Sequence, residues 1–235
     1  MQEGRESTDQ QTDAAIREFR TDRPLSSLLS TTRNVLICPQ RFFDELPPDG
    51  PLGAPVLYFL ICTAITTLIN LIVGLAFLAA PVVFALAADS PNTGLLVTIL
   101  AVFVFAFLVA FPVGFVALFF VSVLLEHAFI RLLAGGNQKG LVATVRVSCY
   151  SVGAPVAVAW VPLVGLLAVF YCFYLHATAL KRVHRISSGT SLAAILILVV
   201  LSLILVAVVT LYDYNVIREA MQTPLSYYFP KPQSR

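Results

Sequence analysis

The stretch 148-SCYSVGAPVAVAWVPLVGLLAVFYCFYLHATAL-180 holds 33 residues and no charge, and the way it is cut decides the fold. A membrane helix needs about 20 apolar residues to cross roughly 30 Å of hydrocarbon, so this run is long for one span and short for two. Pro155, Pro162 and Gly165 interrupt it. Proline removes a helical donor and crowds the preceding turn, so a turn near Pro162–Gly165 leaves two legs of roughly 15 residues each. The flanks are basic on both sides: Arg146 precedes the run, and Lys181, Arg182 and Arg185 follow it. Lys and Arg beside membrane helices stay on the cytoplasmic side. The run therefore leaves and returns to one side, as two short spans or as a re-entrant pair buried among other helices.

The same charge rule orders the rest of the chain. Three further charge-free runs are Ala54–Ala88 (35 residues), Leu95–Leu125 (31) and Leu192–Tyr212 (21). Arg5, Arg17, Arg20, Arg23, Arg33 and Arg41 precede the first run, and Arg131, Lys139 and Arg146 lie between the second and third. The 88–94 connection has neither Lys nor Arg. The first two runs thus cross once each. The expectation is an all-α, polytopic membrane helix bundle with five transmembrane helices, the N-terminus cytoplasmic and residues 213–235 outside. A four-span count would place Lys181–Arg185 outside, against the charge rule.

Composition supports the membrane reading. Of the 235 residues, 58% are hydrophobic and 12% charged, against about 45–50% and 25% in an ordinary soluble domain. Residues 1–53 carry six Arg and nine Asp or Glu of the 28 charged residues. Net charge is +2, without the basic stripe of a nucleic-acid module. Residues 1–24 are polar and mixed in charge, which predicts a disordered tail and not a signal peptide. Residues 25–53 read as an interfacial segment: Leu25, Leu28, Leu29, Thr32 and Leu36 recur at helical spacing, Pro39 ends that helix, and a second short helix turns Phe42, Phe43 and Leu46 toward lipid. Residues 54–212 form the transmembrane domain and 213–235 a C-terminal tail.

Ionisable groups at membrane depth are costly, so they pair or face a cavity. The candidate functional cluster is Glu126, His127, Arg131, Arg146, Tyr150 and His176. Glu126 is expected to pair with Arg146 across adjacent span ends, as a latch on helix register or as part of a proton or substrate site. Arg131 and Lys139 are expected to reach toward headgroups, and Gly74, Gly114, Gly153 and Gly165 to allow close helix approach. Nothing points to catalysis or a cofactor. The segment Ala134-Gly-Gly-Asn-Gln-Lys-Gly140 lacks phosphate-loop spacing and follows a membrane helix instead of a strand. It reads as a loop feeding an amphipathic stretch, Leu141–Val147. Cys38, Cys62, Cys149 and Cys172 form no Cys-x-x-Cys pair, and the three His lack zinc spacing.

A family resemblance rests on the order of several motifs. These are Pro39-Gln-Arg-Phe-Phe-Asp-Glu-Leu46, then Gly50-Pro-Leu at the mouth of the first span, then Arg131-Leu-Leu-Ala-Gly-Gly136. Thr144-Val-Arg-Val-Ser-Cys-Tyr-Ser-Val-Gly-Ala-Pro155 and Leu180-Lys-Arg-Val-His-Arg-Ile-Ser-Ser-Gly189 follow. Over about residues 35–212 the chain resembles the Yip domain family, named for proteins that interact with Ypt and Rab GTPases. The resemblance implies a five-span membrane protein with a cytoplasmic N-terminus. Twelve Arg against three Lys, in an Ala- and Val-rich chain, suggest a prokaryotic member in the inner membrane. The expected function is a non-enzymatic scaffold that organises membrane partners or a trafficking-like process. The alternative is a small-solute, ion or lipid permeation protein. Expected partners are the lipid bilayer, a second copy of the chain or another membrane protein, and no nucleic acid.

Overall fold

The computed structural model describes residues 18–88, 93–135 and 139–222. Among these all regular secondary structure is helical. Helix α1 covers Pro24–Ile37, α2 Pro39–Glu45, α3 Gly53–Ala87, α4 Thr93–Ala134, α5 Leu141–Val156, α6 Pro162–His184 and α7 Ser188–Gln222. Prolines open α1, α2 and α6, where a missing N–H costs nothing and the fixed φ already suits a helix.

Four of these helices, in α3, α4, α6 and α7, are long and apolar enough to cross a membrane. The chain is a multi-pass integral membrane protein. Helix α5 has 16 residues and an apolar sequence, giving a rod of about 24 Å, shorter than the hydrocarbon layer. The deciding run is broken where its prolines predict, although the non-helical residues are 157–161 and α6 starts at Pro162 itself. The legs are unequal, 16 residues in α5 and 23 in α6, because α6 runs past Leu180 to His184; α5 reaches its length only by beginning at Leu141 and absorbing the stretch Leu141–Val147 that the sequence suggested was separate. Gly165 sits one turn into α6 under the Ala159 carbonyl, which a Cβ there would approach to 2.3 Å.

Within α4, residues Ala106–Ala110 form a π turn, and the Phe111 N–H reaches back to Ala106 O. Pro112 follows directly. It has no N–H to give the preceding turn, and a π turn is one of the few ways a helix absorbs that loss without ending.

The chain divides into two units, residues up to Ala194 and residues from Ile195 onward. The second unit is the apolar helical stretch of α7. In the first, α5 packs against α3 and α6, α1 lies on α5, α2 on α6, and α4 against α3 and α5. One core cluster joins Phe59 of α3, Val123 of α4, and Val145 and Cys149 of α5. Phe59 stacks on Phe119 with ring centroids 3.9 Å apart. Gly153 lets α5 come close to α3, since a Cβ there would come within 2.9 Å of the Tyr58 ring. Gly114, by contrast, faces open space, so the expectation of close helix approach fails there.

One expectation for the interfacial segment is corrected. Phe42, Phe43 and Leu46 do not face lipid: they are buried, and Phe42 meets Tyr150 edge-on at 5.2 Å. Apolar spacing shows which residues share a face, but not whether lipid or protein covers it. Helix α1 buries Ser27, Leu28, Thr31 and Val35, while Leu25 and Leu29 are 78% and 74% exposed. Residues 1–17 of the expected polar tail lie outside the described residues, and so do 223–235 of the C-terminal tail; Phe19 is buried against Tyr58.

Candidate functional site

Helix α5 organises the polar interior because its two sides carry different chemistry. Successive residues turn by about 100°, so Thr144, Ser148 and Ser151 share one face while Arg146 and Tyr150 point the opposite way. All five are buried.

The hydroxyl face meets α4 and α6. His176 Nε2 lies 2.7 Å from Glu126 Oε1, and its Nδ1 lies 2.7 Å from Ser151 Oγ. Ser148 Oγ donates to the Thr144 carbonyl at 2.9 Å and sits 3.4 Å from Glu126 Oε2. One turn away, Thr144 Oγ1 lies 2.8 Å from His127 Nδ1 and 3.1 Å from His184 Nε2. Thr144 has a single proton to give, so one of these imidazoles must present an N–H to it. The result is a hydrogen-bonded ladder of one carboxylate, three imidazoles and three hydroxyls across three helices. Such a ladder fixes helix register and can hold or pass a proton.

The opposite face meets the N-terminal segment. The Arg146 guanidinium is fully buried; it donates to the Pro51 carbonyl at 2.5 Å and forms an ion pair with Glu18. Gly50 makes room for it, since a Cβ there would lie 2.6 Å from the guanidinium. Burial raises the Glu18 carboxyl above the usual carboxylate range, outweighing the downward pull of Arg146. Further ties hold this layer down: Thr32 Oγ1 to Tyr58 OH at 2.8 Å, Tyr171 OH to the Leu36 carbonyl at 2.5 Å, and Arg182 to Asp44 at 2.8 Å and Gln40 at 3.2 Å.

The expected pairing of Glu126 with Arg146 is therefore wrong. Both are buried near the same helix ends, but Arg146 lies on the far side of α5 from Glu126. Of the candidate residues, Glu126, His127 and His176 come together in the ladder, Arg146 and Tyr150 lie under the N-terminal segment, and Arg131 is exposed. Sequence reasoning missed Thr144, Ser148, Ser151 and His184, although the first three stand at helical i, i+4, i+7 spacing and could have been read as a stripe. Glu18 carried no signal within a polar, mixed-charge stretch. Among the described residues no group of three His, Cys, Asp or Glu side chains could hold a metal ion.

No curated protein and no solved structure matches the chain. A family model does: the Yip1 domain matches residues 33–211, from the last turn of α1 through α2, the Gly50-Pro51 seat of Arg146 and the hydroxyl ladder to most of α7. That stretch is well over half of the protein, and the chain belongs to the Yip1 domain family.

Proposed function

We propose that the protein is a non-enzymatic five-span scaffold of a prokaryotic inner membrane, with its N-terminus cytoplasmic and its C-terminus outside. Its partners are the lipid bilayer and membrane proteins, a second copy of the chain among them. The observation that carries this reading is the anchored α1–α2 layer. Buried groups hold one side of α1, and the other side presents Leu25, Leu29 and Ile37, which are 78%, 74% and 66% exposed. Apolar side chains on an anchored interfacial helix suit lateral contact with other membrane components.

Because the chain from Glu18 onward is built into the bundle, a partner test should remove only residues 1–17 or alter Leu25, Leu29 and Ile37. A photocrosslinking residue at position 25, 29 or 37 in intact cells is expected to give discrete membrane-protein adducts, and Ser at the neighbouring two positions to remove them. The permeation reading draws on the Glu126–His176–Ser151 connection through the bundle interior. Solute or proton flux in proteoliposomes that falls with Glu126→Gln, together with no adduct at α1, would replace the scaffold by a transporter.

A further inference from the structure

Three helix ends meet around a polar cavity of about 480 Å³: the C-terminal ends of α4 and α6 and the start of α7. Lys139, His184, Arg185, Ser187 and Thr190 line it, with Leu133 among its apolar walls. Among the described residues no carboxylate does. The cavity lies apart from the Glu18–Arg146 pair and touches the hydroxyl ladder only through His184.

Its chemistry is that of an anion site. Lys139 and Arg185 are exposed cations. Arg185 closes α6 in the left-handed conformation, φ +56°, which turns the chain directly into α7. At the start of α7 the Ser187 hydroxyl accepts the Thr190 N–H at 3.0 Å, leaving other first-turn amides at the positive end of a 35-residue helix. The independent observation is His184. Its ring is 1% exposed, Nε2 is taken by Thr144, and Nδ1 lies near the Lys139 backbone without completing a hydrogen bond. A buried ring nitrogen without a partner is costly. When Nε2 accepts from Thr144, Nδ1 carries a proton whose hydrogen bond is left incomplete at the cavity wall beside Lys139.

We propose that this cavity binds a phosphoryl group, held by Lys139 and Arg185, by His184 Nδ1–H and by the first turn of α7. The proposal does not depend on the scaffold reading. Two sources share the chemistry: a phosphomonoester lipid headgroup at the membrane surface, and soluble phosphate. Full-length protein in a neutral detergent, labelled with nitrogen-15 in histidine, would be titrated with inorganic phosphate and, separately, with short-chain phosphatidic acid. The His184 ring resonances are expected to shift saturably with at least one ligand.

Removing both cations as Lys139→Gln with Arg185→Asn should weaken binding at least about tenfold, since each is a charge-assisted contact. Asn tolerates the left-handed conformation at position 185, and an unchanged melting temperature without ligand would show that the double variant folds. Lys181→Gln, a nearby exposed cation outside the cavity, should bind as wild type. Saturation by phosphatidic acid alone assigns a lipid site, and saturation by phosphate alone a soluble one; both support the proposal. No shift with either ligand overturns it, as does an equal loss in Lys181→Gln, which would mean binding to general positive charge.

Discussion

Arg146 is fully buried, with Glu18 as its carboxylate partner and the Pro51 carbonyl as a second acceptor. A buried ion pair is a poor source of net stability, but losing one partner leaves the other uncompensated. Arg146→Met is therefore expected to destabilise by about 3 kcal/mol in detergent melts, the low end of the usual range because Glu18 is 30% exposed. Adding Glu18→Gln should recover part of that loss, because it removes the carboxylate left without its cation. Additivity would mean that the two side chains do not interact. The Glu18 carboxyl also gives a pH dependence. Its value is raised when docked, so the docked segment binds a proton more tightly than the undocked one. Docking should strengthen as pH falls through the interval between the ordinary and the raised value, and lose that increment as pH rises through it. Hydrogen-exchange protection at Glu18–Arg20, taken relative to the intrinsic rate at each pH across that interval, checks the sign, and lower protection at the acid end would refute it.

At the scale of elements, the α5–α6 hairpin rests on close backbone approach. Thr66 Oγ1 donates to the Val156 carbonyl at 2.6 Å, a second bond to an oxygen that also accepts the Ala159 N–H at 3.1 Å, and so ties α3 to the turn that ends α5. Gly165 lies so close to the Ala159 carbonyl that a methyl would meet backbone at 2.3 Å. Gly165→Ala is expected to cost at least about 1–3 kcal/mol in thermal melts, the usual size of an overpacking penalty. Gly114→Ala, in open space within α4, is expected to be neutral or to stabilise by up to about 1 kcal/mol through helix propensity. Equal effects at the two positions would show that propensity, and not contact, governs both. The break itself was legible from Pro155, Pro162 and Gly165. The length of α5 was not, because Leu141–Val147 contains Arg146, and a charge reads as the end of an apolar run. Tertiary burial overrides that signal.

For the whole molecule, helix length and bilayer thickness disagree in a useful way. The 35 residues of α3 extend about 52 Å and the 42 of α4 about 63 Å, both well beyond the hydrocarbon layer, whereas α5 falls short of it. The α3 residues buried between Pro55 and Leu71 lie on its N-terminal half, and beyond them Phe77 and Phe84 are 78% and 76% exposed. A short α5 supports neighbours over only part of their length. Single-cysteine labelling in intact cells, on a background with the four native cysteines replaced, is expected to reach positions 91, 164 and 230 from outside and to miss 10, 138 and 187. If 187 and 230 exchanged sides, α5 and α6 would together cross once and the scaffold's cytoplasmic surface would have to be redrawn.

Apolar run length, charge-free loops and proline positions determined the membrane class, the long helices α3, α4 and α7 and the cut between α5 and α6, while the full length of α6 did not follow from them. These are one-dimensional properties: solvation by lipid depends on how many apolar residues follow one another, and a missing backbone donor acts where it stands. The partners of the buried polar groups were decided only by the tertiary structure. Glu126 and Arg146 both need partners, yet a two-residue offset from Ser148 turns Arg146 to the other side of α5, toward a glutamate 128 positions away. Phe42 and Phe43 were legible as an apolar pair, while their burial, with Phe42 against Tyr150, follows from how α1 and α2 fold back on the bundle. A side chain's face is local, but what covers that face is set by the path of the whole chain.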